Sequence, residues 1–217
     1  MTLKLHNYFR SSSSYRVRIA LNLKGLDFEY LPVHLSRNGG EQFTEAFLAM
    51  NAQALVPVLV DGDKTLSQSL AILEYLEEVW PAPPLLPKTP EHRAYVRRIA
   101  LSIACEIHPL NNLRVLTYLS RDLGLTDEAK NGWIRHWIEL GFGALEAQLA
   151  ASPLRGTFCY RDSPTIADCC LVPQIFNAAR FGVKLDGYPT LRAIDAACQA
   201  LPAFESAHPK RQPGAAG

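Results

Sequence analysis

Five prolines fall within the ten residues 81–90. Proline has a fixed φ and no amide hydrogen, so neither a helix interior nor a central strand can run through such a stretch. The chain must change element and direction there, and its two flanks read differently. Before the prolines, short alternating apolar segments interleave with helix-like runs. After them, apolar residues recur at three- and four-residue steps, the period of helices. The break predicts residues 1–83 as an α/β domain, 84–90 as a proline-rich linker and 91–217 as an all-helical domain. A length of 217 residues suits two small domains, and 48% hydrophobic residues can furnish their cores.

In the first part, residues 3–5 alternate as a strand and 14–24 read as a buried helix with Gly25 as its stop. Residues 28–31 alternate again, and 42–50 resemble a short helix. Strand signals at 58–60 and 64–66 flank Asp61-Gly62-Asp63, a hairpin turn. A helix over 69–80 completes the order βαβαββα, which predicts a mixed sheet covered by helices. In the second part, 91–107 reads as one long helix that Pro109 kinks, continuing over 111–119. Thr126-Asp127-Glu128 opens another helix, with Trp133, Ile134, Trp137, Ile138, Phe142, Leu145 and Leu149 on its apolar face. Thr165-Ile166-Ala167-Asp168 fits a capping box for a central helix over 166–180. A last helix is expected over 191–200 and a frayed tail over 209–217.

Composition narrows the function classes. Lys+Arg 22 against Asp+Glu 21 leaves almost no net charge, which argues against binding nucleic acid through its phosphates. No stretch approaches a membrane span, and the N-terminus lacks a signal-peptide pattern, so a cytoplasmic protein is expected. The five cysteines are odd in number and form no Cys-x-x-Cys, against a disulfide framework or a zinc site. The histidines lack metal-ligand spacing.

The strongest chemical signal is Ser11-Ser12-Ser13-Ser14, placed between the first strand and the first helix and flanked by Arg10, Arg16 and Arg18. A helix N-terminus carries unpaired N–H groups and partial positive charge, so hydroxyls there suit a small anion such as a thiolate. N-capping needs only one serine, and four in a row ask for more, with a plain polar turn as the alternative reading. Downstream, Val56-Pro57 opens a strand. It is read either as a plain boundary or as a cis bond that turns the Val56 backbone toward a peptide-like ligand. Gln68-Ser69 stands at another strand-to-helix junction, where amide and hydroxyl donors can hold a carboxylate or simply cap the helix.

With these motifs the chain resembles the zeta class of the glutathione transferases. Residues 11–21, Ser-Ser-Ser-Ser-Tyr-Arg-Val-Arg-Ile-Ala-Leu, are similar to the class signature Ser-Ser-Cys-Ser-x-Arg-Val-Arg-Ile-Ala-Leu. The resemblance extends through Val56-Pro57, Gln68-Ser69 and Asp162-Ser163-Pro164-Thr165-Ile166-Ala167-Asp168 to nearly the whole chain. It implies a thioredoxin-like domain followed by an all-helical domain, glutathione as cofactor and a homodimer. It also implies cis–trans isomerisation of a maleyl-type diacid, maleylacetoacetate or maleylpyruvate. Dehalogenation or conjugation of α-halo acids and non-catalytic glutathione binding are the alternatives. By this resemblance Ser11 donates to the glutathione sulfur, helped by Ser12, Ser13 and Arg10. Ser11, Ser13, Gln42, Val56, Gln68, Ser69, His108 and Asn112 hold glutathione, the last two through the segment His108-Pro109-Leu110-Asn111-Asn112. Arg10, Arg114 and Arg180 receive the substrate carboxylates. One departure matters: Ser13 stands where the class usually has cysteine, so no protein thiol lies in this loop.

Overall fold

The structure is a computed structural model and describes residues 2–215. It divides into two compact units, Met1–Leu85 with Ala200–Gly217, and Leu86–Gln199.

The first unit has the expected βαβαββα order. Strands β1 (Leu3–Asn7), β2 (Phe28–Pro32), β3 (Val58–Asp61) and β4 (Lys64–Ser67) form one sheet in the order β2-β1-β3-β4. β1 runs parallel to β2 and antiparallel to β3, and β3 pairs antiparallel with β4. Gly62, at φ 61°, makes the hairpin turn that a β-carbon would strain. Helix α1 (Ser12–Leu23) is buried along almost its whole length, and it packs against α3 (Ser69–Val79). Tyr15, Val17, Ile19, Leu21, Ile72, Leu73 and Leu76 are enclosed there. The helix expected over 42–50 is divided. A 3-10 turn, Glu41–Phe43, ends at Thr44, whose extended backbone and Oγ cap a separate α2 (Glu45–Met50).

A buried ion pair ties α1 to the end of α3 and to the prolines beyond. Lys24 Nζ donates to Glu77 Oε2 at 2.8 Å and to the carbonyls of Trp80 (2.6 Å) and Pro83 (3.0 Å). Glu77 Oε2 also accepts the Leu85 amide at 2.8 Å. Both side chains are almost solvent-free, so each charge depends on the other for its solvation.

In the second unit, α4 (Pro90–Leu101) starts with proline in its first turn, where no amide hydrogen is needed. The long helix expected over 91–107 stops at Leu101. A π-helical stretch, Ser102–Ile107, and a 3-10 turn, His108–Asn111, follow it. Helices α5 (Leu113–Arg121) and α6 (Asp127–Ala150) are capped by Asn112 and Thr126, whose side chains accept the Arg114 and Ala129 amides. α7 (Ile166–Arg180) is buried on all faces through most of its length. Its capping box is present: the Asp168 carboxylate accepts the Thr165 amide at 2.7 Å and the Cys159 amide at 2.9 Å. Cys159, Cys169, Cys170 and Cys198 are buried, and Cys105 is exposed.

After α8 (Pro189–Gln199) the chain differs from expectation. The last helix is instead α9 (Pro202–Ala207), which belongs to the first unit and packs on α1. Residues 200–217 thus fall outside the helical unit to which 91–217 had been assigned. Their physical tie is to α1, through Arg18 Nε to Ala207 O (3.1 Å) and Asn22 Nδ2 to Ala203 O (3.0 Å). The expected frayed tail opens with a 3-10 turn, Pro209–Arg211, whose Pro209 is buried. Residues 216–217 of that tail lie outside the described residues.

Replacing Lys24 with Met removes the cation bonded to Glu77 and three hydrogen bonds. The expected loss is about 3–5 kcal/mol of unfolding free energy, measured by urea denaturation. A loss under about 1 kcal/mol would show that the pair is not coupled to global stability.

Candidate active site

The serine run folds into a capped helix start in which the four hydroxyls have different environments. Ser11 has extended backbone, and its Oγ accepts the Ser14 amide at 3.2 Å. Capping uses a lone pair of Ser11, so its hydroxyl proton stays available to an acceptor. Ser11 and Ser13 are half-buried, while Ser12 and Ser14 are buried. Ser14 Oγ lies 3.5 Å from the Tyr8 amide. Arg10 is exposed, its guanidinium 4.9 Å from the Phe9 ring centroid. Arg16 and Arg18, read from sequence as charges flanking an anion, are instead buried within α1 at 2% and 0% exposure.

Arg16 joins this helix start to a second one. Its Nη1 donates to Ser69 Oγ at 3.1 Å, in the first turn of α3. Gln68 precedes that turn at φ 68°, an uncommon conformation for a residue with a side chain. It does not cap α3. Its Nε2 donates to Gln53 Oε1 at 2.8 Å instead. The first intrahelical bond runs from the Ile72 amide to Gln68 O, so the earlier amides of α3 have no intrahelical acceptor. The Val56–Pro57 bond is cis, and β3 begins only at Val58. Among the described residues the Val56 N–H and C=O form no backbone ladder bond. Gln42 is buried. Its Nε2 donates to Leu35 O at 3.3 Å, and its Oε1 is buried with no hydrogen-bond partner among the described residues. Gly40, at φ 106°, makes room for this side chain: a β-carbon there would sit 2.6 Å from Gln42 Nε2.

The remaining expected residues belong to the second unit. His108 and Asn112 bracket the 3-10 turn, and Asn112 caps α5 through Oδ1, leaving its Nδ2 to donate. Arg114 is exposed in the first turn of α5. Arg180 is exposed in the last turn of α7, with its guanidinium 5.5 Å from the Phe181 ring centroid. Two features of α6 hold the irregular segment. Trp133 Nε1 donates to Leu110 O at 2.9 Å, and Gly141 lets Ile107 press against the helix backbone. Asn111, unremarked in sequence, has both amide atoms buried without a hydrogen-bond partner among the described residues. Its only sequence signal is its place beside Asn112.

A four-stranded mixed sheet with a serine-capped first helix, a cis proline before β3 and free amides at the start of α3 defines the glutathione-binding half of a glutathione transferase. Residues 1–78 match the family model described as glutathione S-transferase, N-terminal domain. Over the whole chain, a probable maleylacetoacetate isomerase from Vibrio cholerae serotype O1 is 51% identical, with 99% of each chain covered. A holo structure of a bacterial zeta-class transferase, maleyl pyruvate isomerase, superposes with a TM-score of 0.95 at 50% identity, covering 98% of this chain and 100% of that one. A maleylacetoacetate isomerase from Methylobacterium extorquens AM1, solved with malonate and glutathione, gives a TM-score of 0.93 at 42% identity, covering 99% and 100%. The chain belongs to the zeta class of the glutathione transferase family.

Gly141 tests how α6 shapes the His108 segment. A β-carbon there would overlap Ile107 Cδ1 and Cγ1, and Ile107 is 1% exposed. Gly141→Ala is expected to cost about 1–3 kcal/mol by overpacking. Ile107→Ala in the same chain should recover part of that loss, giving a non-additive double-mutant cycle by denaturation. Strict additivity would mean that the two positions do not press on each other.

Proposed function

We propose that the protein catalyses the glutathione-dependent cis–trans isomerisation of a maleyl-type diacid, maleylacetoacetate being the first candidate. The observation that carries this reading is Ser11, whose oxygen caps α1 while its proton remains free, in a loop without a protein thiol. Full-length similarity to maleylacetoacetate and maleyl pyruvate isomerases supports it.

The residues present fit glutathione. It is a peptide, and Val56 offers an unladdered N–H and C=O to its backbone. Its γ-glutamyl carboxylate suits the unpaired amides, Gln68 and Ser69 at the start of α3. The buried Gln42 Oε1 is an acceptor in need of a donor, which a glutathione amine or amide supplies. The family resemblance gives His108 and Asn112 a part in holding glutathione as well. When bound, glutathione supplies a thiolate that adds reversibly to the maleyl double bond, so that rotation about the resulting single bond precedes its departure.

The chain's own residues have three tasks. Ser11 donates its hydroxyl proton to the sulfur, and the α1 N-terminus adds partial positive charge, with Ser12 and Ser13 nearby. Together they hold ionised a thiol whose free pKa is about 8.5. Arg10 and Arg114 stabilise negative charge that develops on the carbonyl conjugated to the double bond. Arg180 grips the distal carboxylate by a forked, charge-assisted pair. Glutathione is regenerated, so the substrate needs no leaving group. Maleylpyruvate carries the same maleyl unit on a shorter tail, and the 50% identical maleyl pyruvate isomerase supports it as the second substrate.

The test compares isomerisation of both acids with and without glutathione, for the wild type and Ser11→Ala. The expected result is a rate that requires glutathione and exceeds that of the non-enzymatic reaction. Ser11→Ala should lower kcat by about 10–1000-fold at neutral pH, in the range of a lost oxyanion or thiolate donor. Because Ser11 holds the thiol pKa down, its loss shifts the rising limb of the pH–rate profile to higher pH. Tight glutathione binding with no isomerisation of either acid would leave only a binding role.

The family resemblance also supports a homodimer acting in the cytoplasm. Among the described residues no helix is long and apolar enough to cross a membrane. Sedimentation equilibrium should return twice the chain mass, and a single monomeric species at micromolar concentration would refute the dimer.

A further inference from the structure

Arg18 is a buried cation whose hydrogen-bonding partners are all neutral. Its side chain is fully enclosed. Nε donates to Ala207 O (3.1 Å), Nη1 to Asn7 Oδ1 (2.9 Å), and Nη2 to Phe9 O (3.1 Å), with Tyr8 O 3.5 Å from Nη1. Its guanidinium lies 5.3 Å from the Tyr15 ring centroid. Among the described residues no carboxylate forms an ion pair with it. Burial pushes its pKa down, to about 10, with Tyr30 and Tyr15 opposing that shift, so it remains protonated at neutral pH.

An uncompensated buried charge costs several kcal/mol, and an apolar side chain of similar length would fill the space without that cost. The position of the charge is therefore informative. Arg18 draws the carbonyls of Tyr8 and Phe9 toward itself. Across planar trans peptides this turns the amides of Phe9 and Arg10 away from it, with the positive ends of both dipoles leading outward. Tyr8 O also accepts the Ser11 amide at 3.0 Å. One carbonyl oxygen thus stands between the guanidinium and the backbone of Ser11.

We propose that Arg18 is a positioning residue for the thiol seat: it fixes the Asn7–Phe9 turn that presents Ser11, and it supplies a permanent, poorly screened positive charge that keeps the thiol of bound glutathione ionised. The inference rests on the reading of the Ser11 loop as a thiol seat. In general, a unit charge ~10 Å from a thiol, acting through an effective dielectric constant of about 20, moves its pKa by about one unit. Salt screens such a buried charge weakly.

The test titrates the thiolate absorbance of glutathione bound to the dimer or monomer as purified, near 240 nm, for the wild type, Arg18→Met, Arg18→Lys and Asn7→Asp. S-methylglutathione, which cannot ionise at sulfur, reports binding geometry alone. The wild type is expected to titrate below the free thiol. Arg18→Met should raise the bound thiol pKa by about one unit, while Arg18→Lys, which keeps the charge, stays within about 0.3. S-methylglutathione affinity should change less than about threefold in all variants. Asn7→Asp leaves Arg18 in place but pairs its charge, at the expense of the Asn7 Nδ2 bond to Leu5 O (3.0 Å), and should also raise the thiol pKa. This variant decides the matter if Arg18→Met does not fold.

An unchanged thiol pKa in Arg18→Met, or in Asn7→Asp when the former does not fold, overturns the inference. An equal rise in Arg18→Lys and Arg18→Met overturns the electrostatic role and leaves only the fixing of the turn. Absence of any thiolate titration in the wild type would instead overturn the thiol seat itself.

Discussion

Helix α1 is closed off from water, and that enclosure sets demands which the rest of the first unit meets. Apolar residues on it cause no difficulty, but Arg16, Arg18 and Lys24 must look for partners within the fold. Each reaches a different part of the first unit. Arg16 reaches the first turn of α3, Arg18 reaches the turn after β1 and the end of α9, and Lys24 reaches the end of α3 and the prolines beyond it. The polar contacts of one buried helix thus fix both helix starts at which anions are favoured.

The irregular stretch between α4 and α5 follows a different logic. An apolar helix face can continue through an extra residue per turn if a neighbour accepts the altered register. Gly141 does this for Ile107, and Trp133 anchors the next turn at Leu110. What results is a π-to-3-10 succession that presents His108 and Asn112 at a helix break instead of along a continuous face.

How much of this was legible follows from the range of each interaction. The βαβαββα order, the hairpin at Gly62, the capping box at Thr165 and the buried α7 are written in local patterns of alternation, glycine and capping residues, and all are present. The stop of α4 at Leu101 was not legible, because a π turn keeps apolar residues on the buried face and only the partner glycine on α6 reveals it. Nor was the burial of Arg16 and Arg18. An arginine reads as surface unless its acceptors are known, and here that of Arg16, Ser69, lies 53 residues away and one of those of Arg18, Ala207, lies 189 away. The placement of α9 depends on the same distant bonds. At the site, Ser11, Val56, Gln68 and Ser69 stand out through serine, proline and cap chemistry, whereas Asn111 carries no local mark.

The return of α9 to α1 also has a consequence for biosynthesis. Chains emerge from the ribosome N-terminus first, and domains generally fold as their residues become available. Here β1, α1 and the serine turn are made early, yet the Arg18 acceptor at Ala207 and the Asn22 acceptor at Ala203 are among the last residues added. Until they arrive, α1 lacks a covering layer and its guanidinium lacks one of its carbonyl partners. The oldest part of the nascent polypeptide is therefore finished by the youngest, and the first unit closes only after the intervening helical unit has been synthesised.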